Sequence, residues 1–232
     1  MKRVLLAWSS GKDSAWTLQL LRRAPQLEVA GLFTTMDEGH GRVAVHAVRS
    51  ELLEAQARAT GLPLHTIPLP YPCPNAVYEA ALAAFVARAA SEGVSHFAFG
   101  DLFLEDIRRY RERQFASLGV ELLFPLWGLP TRALAEEMVA SGLRAWITCV
   151  DSRQAPREWA GRIFGPQFVA QIPADIDPCG ERGEFHTFAF EGPMFDAPIR
   201  TRVGEVSERD GFVYADVLHE ARVLQLQHPE RR

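Results

Sequence analysis

Short apolar runs alternate with longer amphipathic segments through the first half of the chain. The apolar runs have the length of buried strands and predict strands at 4–8, 29–34, 64–67, 96–99 and 121–124. The segments between them carry apolar residues at helical spacing and predict helices at 14–23, 48–60, 75–92 and 105–118. Because strands that alternate with helices form a parallel sheet covered on both faces, this pattern indicates a doubly wound α/β domain.

The alternation changes near residue 128, where we place a domain boundary. Beyond it we predict one helix and three strands, the last two antiparallel, at 131–141, 145–150, 201–207 and 212–226. Glycine and proline interrupt the pattern from 161 to 198. We therefore predict an α/β domain at 1–128 and a smaller α+β domain at 129–232.

Charge, cysteine content and hydropathy restrict the class of protein. A net charge of −4 disfavours non-specific binding to nucleic acid, although a local basic groove stays open. Cys73, Cys149 and Cys179 lack the paired spacing of a disulfide framework or a zinc site. No apolar run approaches the roughly 18 residues of a membrane span, and the run at 4–8 is too short for a signal peptide. We expect a soluble, cytoplasmic protein.

A polar loop joins the first predicted strand to the first helix, and its residues are Ser9, Ser10, Gly11, Lys12, Asp13 and Ser14. A doubly wound sheet binds its ligand at such a position, where a helix N-terminus offers unpaired N–H groups to phosphate. Lys12 adds a positive charge and is one of only two lysines, with Lys2. A simple turn in which Ser9 or Ser10 caps the helix is the alternative. The upstream glycine of the kinase and GTPase loop is missing, which disfavours γ-phosphate transfer.

Acidic and basic residues follow the fourth predicted strand. Gly100 and Asp101 come at its carboxyl end, so Asp101 is expected in the same crevice as Asp13. Both carboxylates are candidates for organising Mg²⁺, and a helix cap is the alternative for Asp101. The cluster at 108–113 contains four arginines and is explained by a solvated helix face or by phosphate binding, for which Arg111 is the candidate.

A glycine-rich run at 177–187 contains two glutamates and a histidine, Glu181, Glu184 and His186. If 184–190 is extended, Glu184 and His186 share one face of the strand and Phe185 takes the other. We predict that Glu184 and His186 act at the reacting end of the phosphate-bearing ligand, with Glu181 as a further candidate. The alternative is a turn whose backbone they merely satisfy.

Two motifs carry a resemblance to a known family. Residues 9–14 resemble the S-G-G-K-D-S loop of the N-type ATP pyrophosphatases, in the PP-loop superfamily, with Ser10 replacing the first glycine. If that position needs a positive φ, serine adds strain of about 1 kcal/mol. The run D-P-C-G-E-R-G-E-F-H-T at 177–187, with G-P-M-F downstream, is similar to the signature of the diphthine-ammonia ligase family. Shorter matches occur at 45–49, Asn75, Tyr78-Glu79, Tyr110-Arg111 and 125–128, so the likeness covers roughly 1–196.

The resemblance implies a fold, a reaction and a set of site residues. The fold is an ATP-binding domain of the adenine nucleotide alpha hydrolase type, with a smaller domain that completes the active site. The reaction adenylates a carboxylate with ATP and Mg²⁺, releases pyrophosphate and amidates the product with ammonia. In the family the acceptor is diphthine, a modified histidine on elongation factor 2.

Within that reaction, residues 9–14, Gly100 and Arg111 are expected to bind ATP, and Lys12, Asp101, Glu184 and His186 to be catalytic. Two other functions stay open: an adenylating or thiolating enzyme that acts on RNA or a small molecule, and a nucleotide-sensing module.

Overall fold

The computed structural model describes residues 1–37, 42–43 and 48–220. Its first sheet contains five parallel strands, β1 (Lys2–Ala7), β2 (Leu27–Asp37), β4 (Leu64–Leu69), β5 (His96–Ala98) and β6 (Glu121–Leu123). A two-residue strand, β3 (Arg42–Val43), pairs antiparallel with β2. The parallel strands lie in the order β4, β2, β1, β5, β6. The order reverses between β1 and β5, and in a doubly wound sheet this is where ligands bind.

Helices cover both faces of this sheet. In chain order they are α1 (Lys12–Arg23), α2 (Ser50–Thr60), α3 (Asn75–Ser91) and α4 (Glu105–Phe115). Val4 and Leu6 of β1 belong to one core cluster with residues of α1 and α2, whereas Leu5 belongs to another with residues of α3 and α4. Successive residues of β1 therefore face opposite helical layers. The predicted doubly wound α/β fold is confirmed.

A second, antiparallel sheet follows. It contains β7 (Arg144–Asp151), β8 (Ile163–Phe164), β9 (Phe185–Glu191), β10 (Thr201–Arg209) and β11 (Phe212–His219). The strand β7 pairs with β8, β9 and β11, so the strand predicted at 145–150 belongs to this sheet and not to the parallel one. Three helical segments accompany it, α5 (Thr131–Ala140), α6 (Pro166–Gln171) and a 3-10 turn at Arg157–Trp159.

The predicted hairpin of the second domain is confirmed as β10 and β11, which pair antiparallel. The part of the prediction at 221–226 lies outside the described residues, as does the family match at 45–47. The division of the chain at residue 128 stays a prediction.

A buried polar network attaches the polar loop to the second sheet. The side-chain amide of Gln56 donates to the carbonyl oxygens of Ser10 (2.9 Å) and Ala189 (2.7 Å). Its own oxygen accepts the indole N–H of Trp8 at 2.8 Å, and the amide of Ala189 donates to Ser10 at 2.9 Å. Buried polar groups are stable when all are paired in this way. The two domains are thus joined at the loop that was predicted to bind phosphate.

Candidate active site

A cavity of about 350 Å³ opens at the point where the strand order reverses, between the two domains. Most of the predicted site residues line it, namely Ser9, Gly11, Lys12, Asp13, Ser14, Gly100, Asp101, Arg111, Glu181 and His186. Ser10 and Glu184 do not line it. A second cavity, of about 390 Å³, lies against Arg49 and Asp216 and contains none of the predicted site residues. The sequence motifs therefore converge on one cleft.

The helix α1 begins directly after the polar loop, with Gly11 at its N-cap position. In the described residues the first amide of the helix, that of Lys12, is bound by the hydroxyl of Thr187 at 3.1 Å, and Ser9 accepts from the amide of Gly11, the N-cap residue itself, at 3.4 Å. Neither Ser9 nor Ser10 therefore has the capping role of the alternative interpretation. The hydroxyl of Ser9 instead contacts that of Ser14 at 3.1 Å. The N-terminus of α1 faces the cavity through Gly11 and Lys12, in the orientation that suits an anion.

Ser10 has a left-handed backbone, with φ of +68°. A residue other than glycine costs about 1 to 2 kcal/mol in the left-handed region. The backbone strain that was expected if this position needs a positive φ is therefore present. The Ser10 side chain is fully buried and donates to the carbonyl of Ser9.

We expect Ser10→Gly to raise the free energy of unfolding by up to about 1 kcal/mol. The relief of strain outweighs the extra chain entropy that glycine adds to the unfolded state. Ser9→Gly is the comparison. Ser9 is outside the left-handed region, so glycine there relieves no strain, adds chain entropy and removes the hydroxyl contacts with Ser14 and Gly11, and it should lower the stability. Urea denaturation of both variants measures the difference, and a loss of stability in Ser10→Gly would contradict the expectation.

Lys12 is almost completely buried, with about 2% of its surface exposed. Its ammonium donates to Asp13 Oδ2 at 2.8 Å and to the carbonyl of Cys179 in the second domain. Burial lowers the pKa of Lys12, but Asp13 and neighbouring groups more than offset this, so the pKa is raised and the side chain is charged. The backbone N–H of Lys12 donates to the hydroxyl of Thr187 at 3.1 Å.

Asp13 and Asp101 differ in what their carboxylates contact. Asp13 Oδ1 is buried and has no hydrogen-bond partner among the described residues. Both oxygens of Asp101 are bound by the guanidinium of Arg111, at 2.6 and 3.1 Å. An unpartnered buried oxygen fits a ligand of Mg²⁺, which takes one or two carboxylates and fills its other positions with phosphate and water. Asp13 therefore fits the predicted metal role, whereas Asp101 fits it only if Arg111 moves.

Arg111 makes different contacts from Arg108 and Arg109 of the same cluster. Arg108 and Arg109 form ion pairs within α4, with Glu112 (2.8 Å) and Glu105 (2.6 Å), as expected for a solvated helix face. The guanidinium of Arg111 instead lies 4.3 Å from the ring centre of Phe99 and lines the cavity. The structure thus brings the predicted member of the cluster to the cleft.

The loop at 177–184 is held together by its own carboxylates. Asp177 accepts from the amides of Cys179 (3.4 Å) and Glu181 (2.8 Å). Glu184 accepts from the amides of Asp177 (3.3 Å) and Arg182 (2.9 Å) and is buried. Because β9 begins at Phe185, Glu184 precedes the strand, and its position favours the turn-stabilising alternative over the catalytic one.

Glu181 and His186 are the carboxyl and imidazole groups of this region that line the cavity, together with Cys179. Glu181 Oε1 accepts a hydrogen bond from the amide of Leu102 at 2.8 Å, so the carboxyl group lies near the end of β5. Burial, with Asp13 acting in the same direction, raises the pKa of Glu181 to about 7. Burial and the charge of Lys12 lower the pKa of His186, so its imidazole is neutral at neutral pH.

Sequence reasoning missed several cavity residues that come from other elements. They are Trp8, Phe33, Thr34, Thr35, Leu82 and Phe99, together with Tyr78 and Thr187, which were noted only as parts of family matches. Thr34 and Thr35 lie at the carboxyl half of β2, the neighbour of β1. The rule that ligands bind at carboxyl ends of parallel strands could have found them.

Fold and site together define a class of protein. A parallel sheet whose polar loop opens onto a cleft at the reversal of strand order, directly before a helix, is the architecture of nucleotide-binding α/β proteins. The family model for the diphthamide synthase N-terminal domain matches residues 1–122, and that for the diphthamide synthase C-terminal domain matches 130–221. The chain belongs to the diphthamide synthase family, which confirms the resemblance to the diphthine-ammonia ligases of the PP-loop type. A comparison with curated proteins found no match. None of the helices in the described part is long and apolar enough to cross a membrane.

Proposed function

We propose that this protein is an ATP-dependent ligase that adenylates a substrate carboxylate and then amidates it with ammonia. The observation that carries the proposal is the convergence of two loops on one cleft. Residues 9–14 come from the first domain and 177–187 from the second, and both line the same cavity. The acceptor that the family suggests is diphthine on an elongation factor.

ATP binding is divided between two ends of the cavity. The pyrophosphate portion lies against the loop at 9–14 and the N-terminus of α1, where N–H groups and the helix dipole favour negative charge. Phe33, Thr34 and Leu82 line another part of the wall and provide an apolar surface with one hydroxyl for the adenosine portion. Arg111, with Asp101 holding its guanidinium, adds a positive charge near the phosphates.

The chemistry proceeds in two steps. An oxygen of the acceptor carboxylate attacks the α-phosphorus, the bond to the bridging oxygen breaks, and pyrophosphate leaves. Ammonia then attacks the acyl carbon, the bond to the AMP oxygen breaks, and an amide and AMP are formed. Since a carboxylate is a poor electrophile, the cleavage of ATP supplies the leaving group that the second step requires.

His186 and Glu181 are the groups that act on ammonia in this proposal. Ammonium must lose a proton before nitrogen can attack, and a neutral imidazole beside the cleft can accept it. Ionised Glu181 binds the ammonium ion and holds it near the acyl carbon. Bound Mg²⁺, held by Asp13 and phosphate oxygens, would neutralise charge on the phosphates.

Product analysis tests the proposed function. We expect AMP and pyrophosphate in equal amounts, only when ATP, a divalent cation, ammonium and the acceptor are all present. A need for a sulfur donor would favour the thiolating alternative, but burial raises the pKa of Cys179 well above its usual range and makes that thiol a poor nucleophile. ADP as the product, or tight binding of ATP without turnover, would overturn the proposal.

The use of ammonium should depend on the ionisation of Glu181. We expect kcat/KM for ammonium to rise with pH through about 7, because the carboxyl group is neutral below its raised pKa and negative above it. The fraction of free ammonia also rises with pH, so Glu181→Gln is the control that keeps this effect but loses the step near neutrality. Identical profiles in the two proteins would exclude this role of Glu181.

A further inference from the structure

Lys12 lies in surroundings that differ from those of a phosphate ligand. Its ammonium donates to the Cys179 carbonyl, and the rings of Phe164 and Phe185 lie 5.6 and 5.5 Å from it. All three of these residues belong to the second domain. Asp13 supplies the opposite charge at 2.8 Å. The cation is thus already paired and enclosed, and a contact with phosphate would require this arrangement to break.

The loop at 177–184 has few attachments to the first domain. Within the described residues, two hydrogen bonds join the loop to the first domain. The Lys12 ammonium donates to the Cys179 carbonyl, and the Leu102 amide donates to Glu181. The Arg182 guanidinium also lies 5.5 Å from the ring centre of Phe103, and the Cys179 thiol donates to the Thr131 carbonyl within its own domain at 3.5 Å. The carboxylates of Asp177 and Glu184 bind amides of the loop itself. A hydrogen bond from a buried charged donor is the stronger kind of attachment.

We propose that Lys12 is a positioning residue, which holds the loop at 177–184 over the cleft through the Cys179 carbonyl and thereby places Glu181 at the end of β5. In this role it does not bind phosphate. The effect on turnover rests on the proposed function, whereas the effect on the loop does not. The two parts can therefore fail separately.

The cysteines of the chain report on the loop directly. Cys179 lies in the loop and Cys149 in β7, and both are buried, at 2% and 6% exposure. Cys73 is partly exposed. Loosening of the loop exposes Cys179 alone, whereas unfolding of the second domain exposes Cys149 as well. Cys73 shows that the reagent is active.

The first experiment measures alkylation by iodoacetamide at each cysteine, by mass spectrometry of the native protein. In Lys12→Met we expect Cys179 to react about 10 to 100 times faster, the effect of losing a hydrogen bond to a charged group, while Cys149 stays protected. Lys12→Arg keeps a cationic donor and should restore most of the protection. Lys2→Met is the matched control, because Lys2 is exposed and the chain has no other lysine.

The second experiment separates binding from turnover in the same variants. We expect Lys12→Met to change the Kd of ATP by less than about threefold and to lower kcat about 100-fold, since the loss is in the placement of Glu181. A direct phosphate contact would instead weaken ATP binding by about 10- to 100-fold.

Three results would overturn the proposal: unchanged protection of Cys179 in Lys12→Met, equal exposure of Cys149 and Cys179, or a loss of ATP affinity that accounts for the whole loss of activity. If Cys179 becomes reactive but the wild type forms no AMP, the positioning role stands and the ligase function fails.

Discussion

Replacement of His186 with alanine should lower ammonia-dependent AMP formation by about 10² to 10⁴, the usual contribution of a positioned general base. The imidazole lines the cleft, and its lowered pKa keeps it able to accept a proton at neutral pH. ATP affinity and the melting temperature should stay near those of the wild type, because the substitution leaves in place the hydrogen bonds that join β9 to the loop at 9–14 through Thr187 and Ala189. Steady-state kinetics, ATP titration and thermal denaturation on one preparation decide the matter.

His219→Ala is the matched control for this prediction. His219 is half-buried at the end of β11 and lies outside the lining of the cleft. It should change neither kinetics nor ATP affinity. If His186→Ala lowers stability and ATP binding in proportion to activity, His186 is a structural residue of β9 and its role as a base is refuted.

Glu184 was grouped with His186 in the sequence but is separated from it in the structure. The prediction relied on strict alternation from residue 184, and the strand begins one residue later, at Phe185. Both carboxylate oxygens of Glu184 are used by amides of its own loop. A period-two pattern cannot show where a strand begins when a glycine turn precedes it, so the pairing of Glu184 with His186 could not be tested from sequence.

The first domain was predictable because its signals are local. Each strand is a short apolar run, and Gly61, in the left-handed conformation, ends α2 as its position after the helical pattern indicates. The placement of residues 9–14 and Asp101 in one cleft follows from the parallel order of the strands. Local pattern and general topology were therefore sufficient for this half of the site.

The second half of the site depends on contacts that no spacing reveals. Lys12 meets the Cys179 carbonyl across 167 positions, and Gln56 meets the Ala189 carbonyl across 133. The guanidinium of Arg111, which the sequence analysis expected to bind ATP, is paired with the carboxylate of Asp101. The ionisation of Glu181 is likewise set by burial, which appears only after the domains have met. The charges that meet at a domain interface depend on the tertiary structure. Sequence motifs could therefore identify these residues as candidates, but they could not identify the groups that these residues contact.

Gly180→Ala should destabilise the protein by at least about 2 kcal/mol and abolish most of its activity. Gly180 has φ of +68°, and a Cβ atom there would lie 2.7 Å from the carbonyl oxygen of Phe185. The left-handed backbone costs an alanine about 1 to 2 kcal/mol, and the contact adds repulsion from main-chain atoms that cannot move aside without shifting β9. Since Glu181 is the next residue, the shift would also displace its carboxylate from the amide of Leu102.

Gly183→Ala separates these two costs. Gly183 also has a positive φ, of +87°, but a Cβ atom there would meet no atom of the described residues within 4 Å. Its replacement should therefore cost only the strain of the left-handed backbone, about 1 kcal/mol, and leave most of the activity. Urea denaturation and AMP formation measured on both variants give the difference that is due to the clash with Phe185. If the two alanine variants lose the same stability and the same activity, close packing of the loop against β9 is not what requires glycine at position 180.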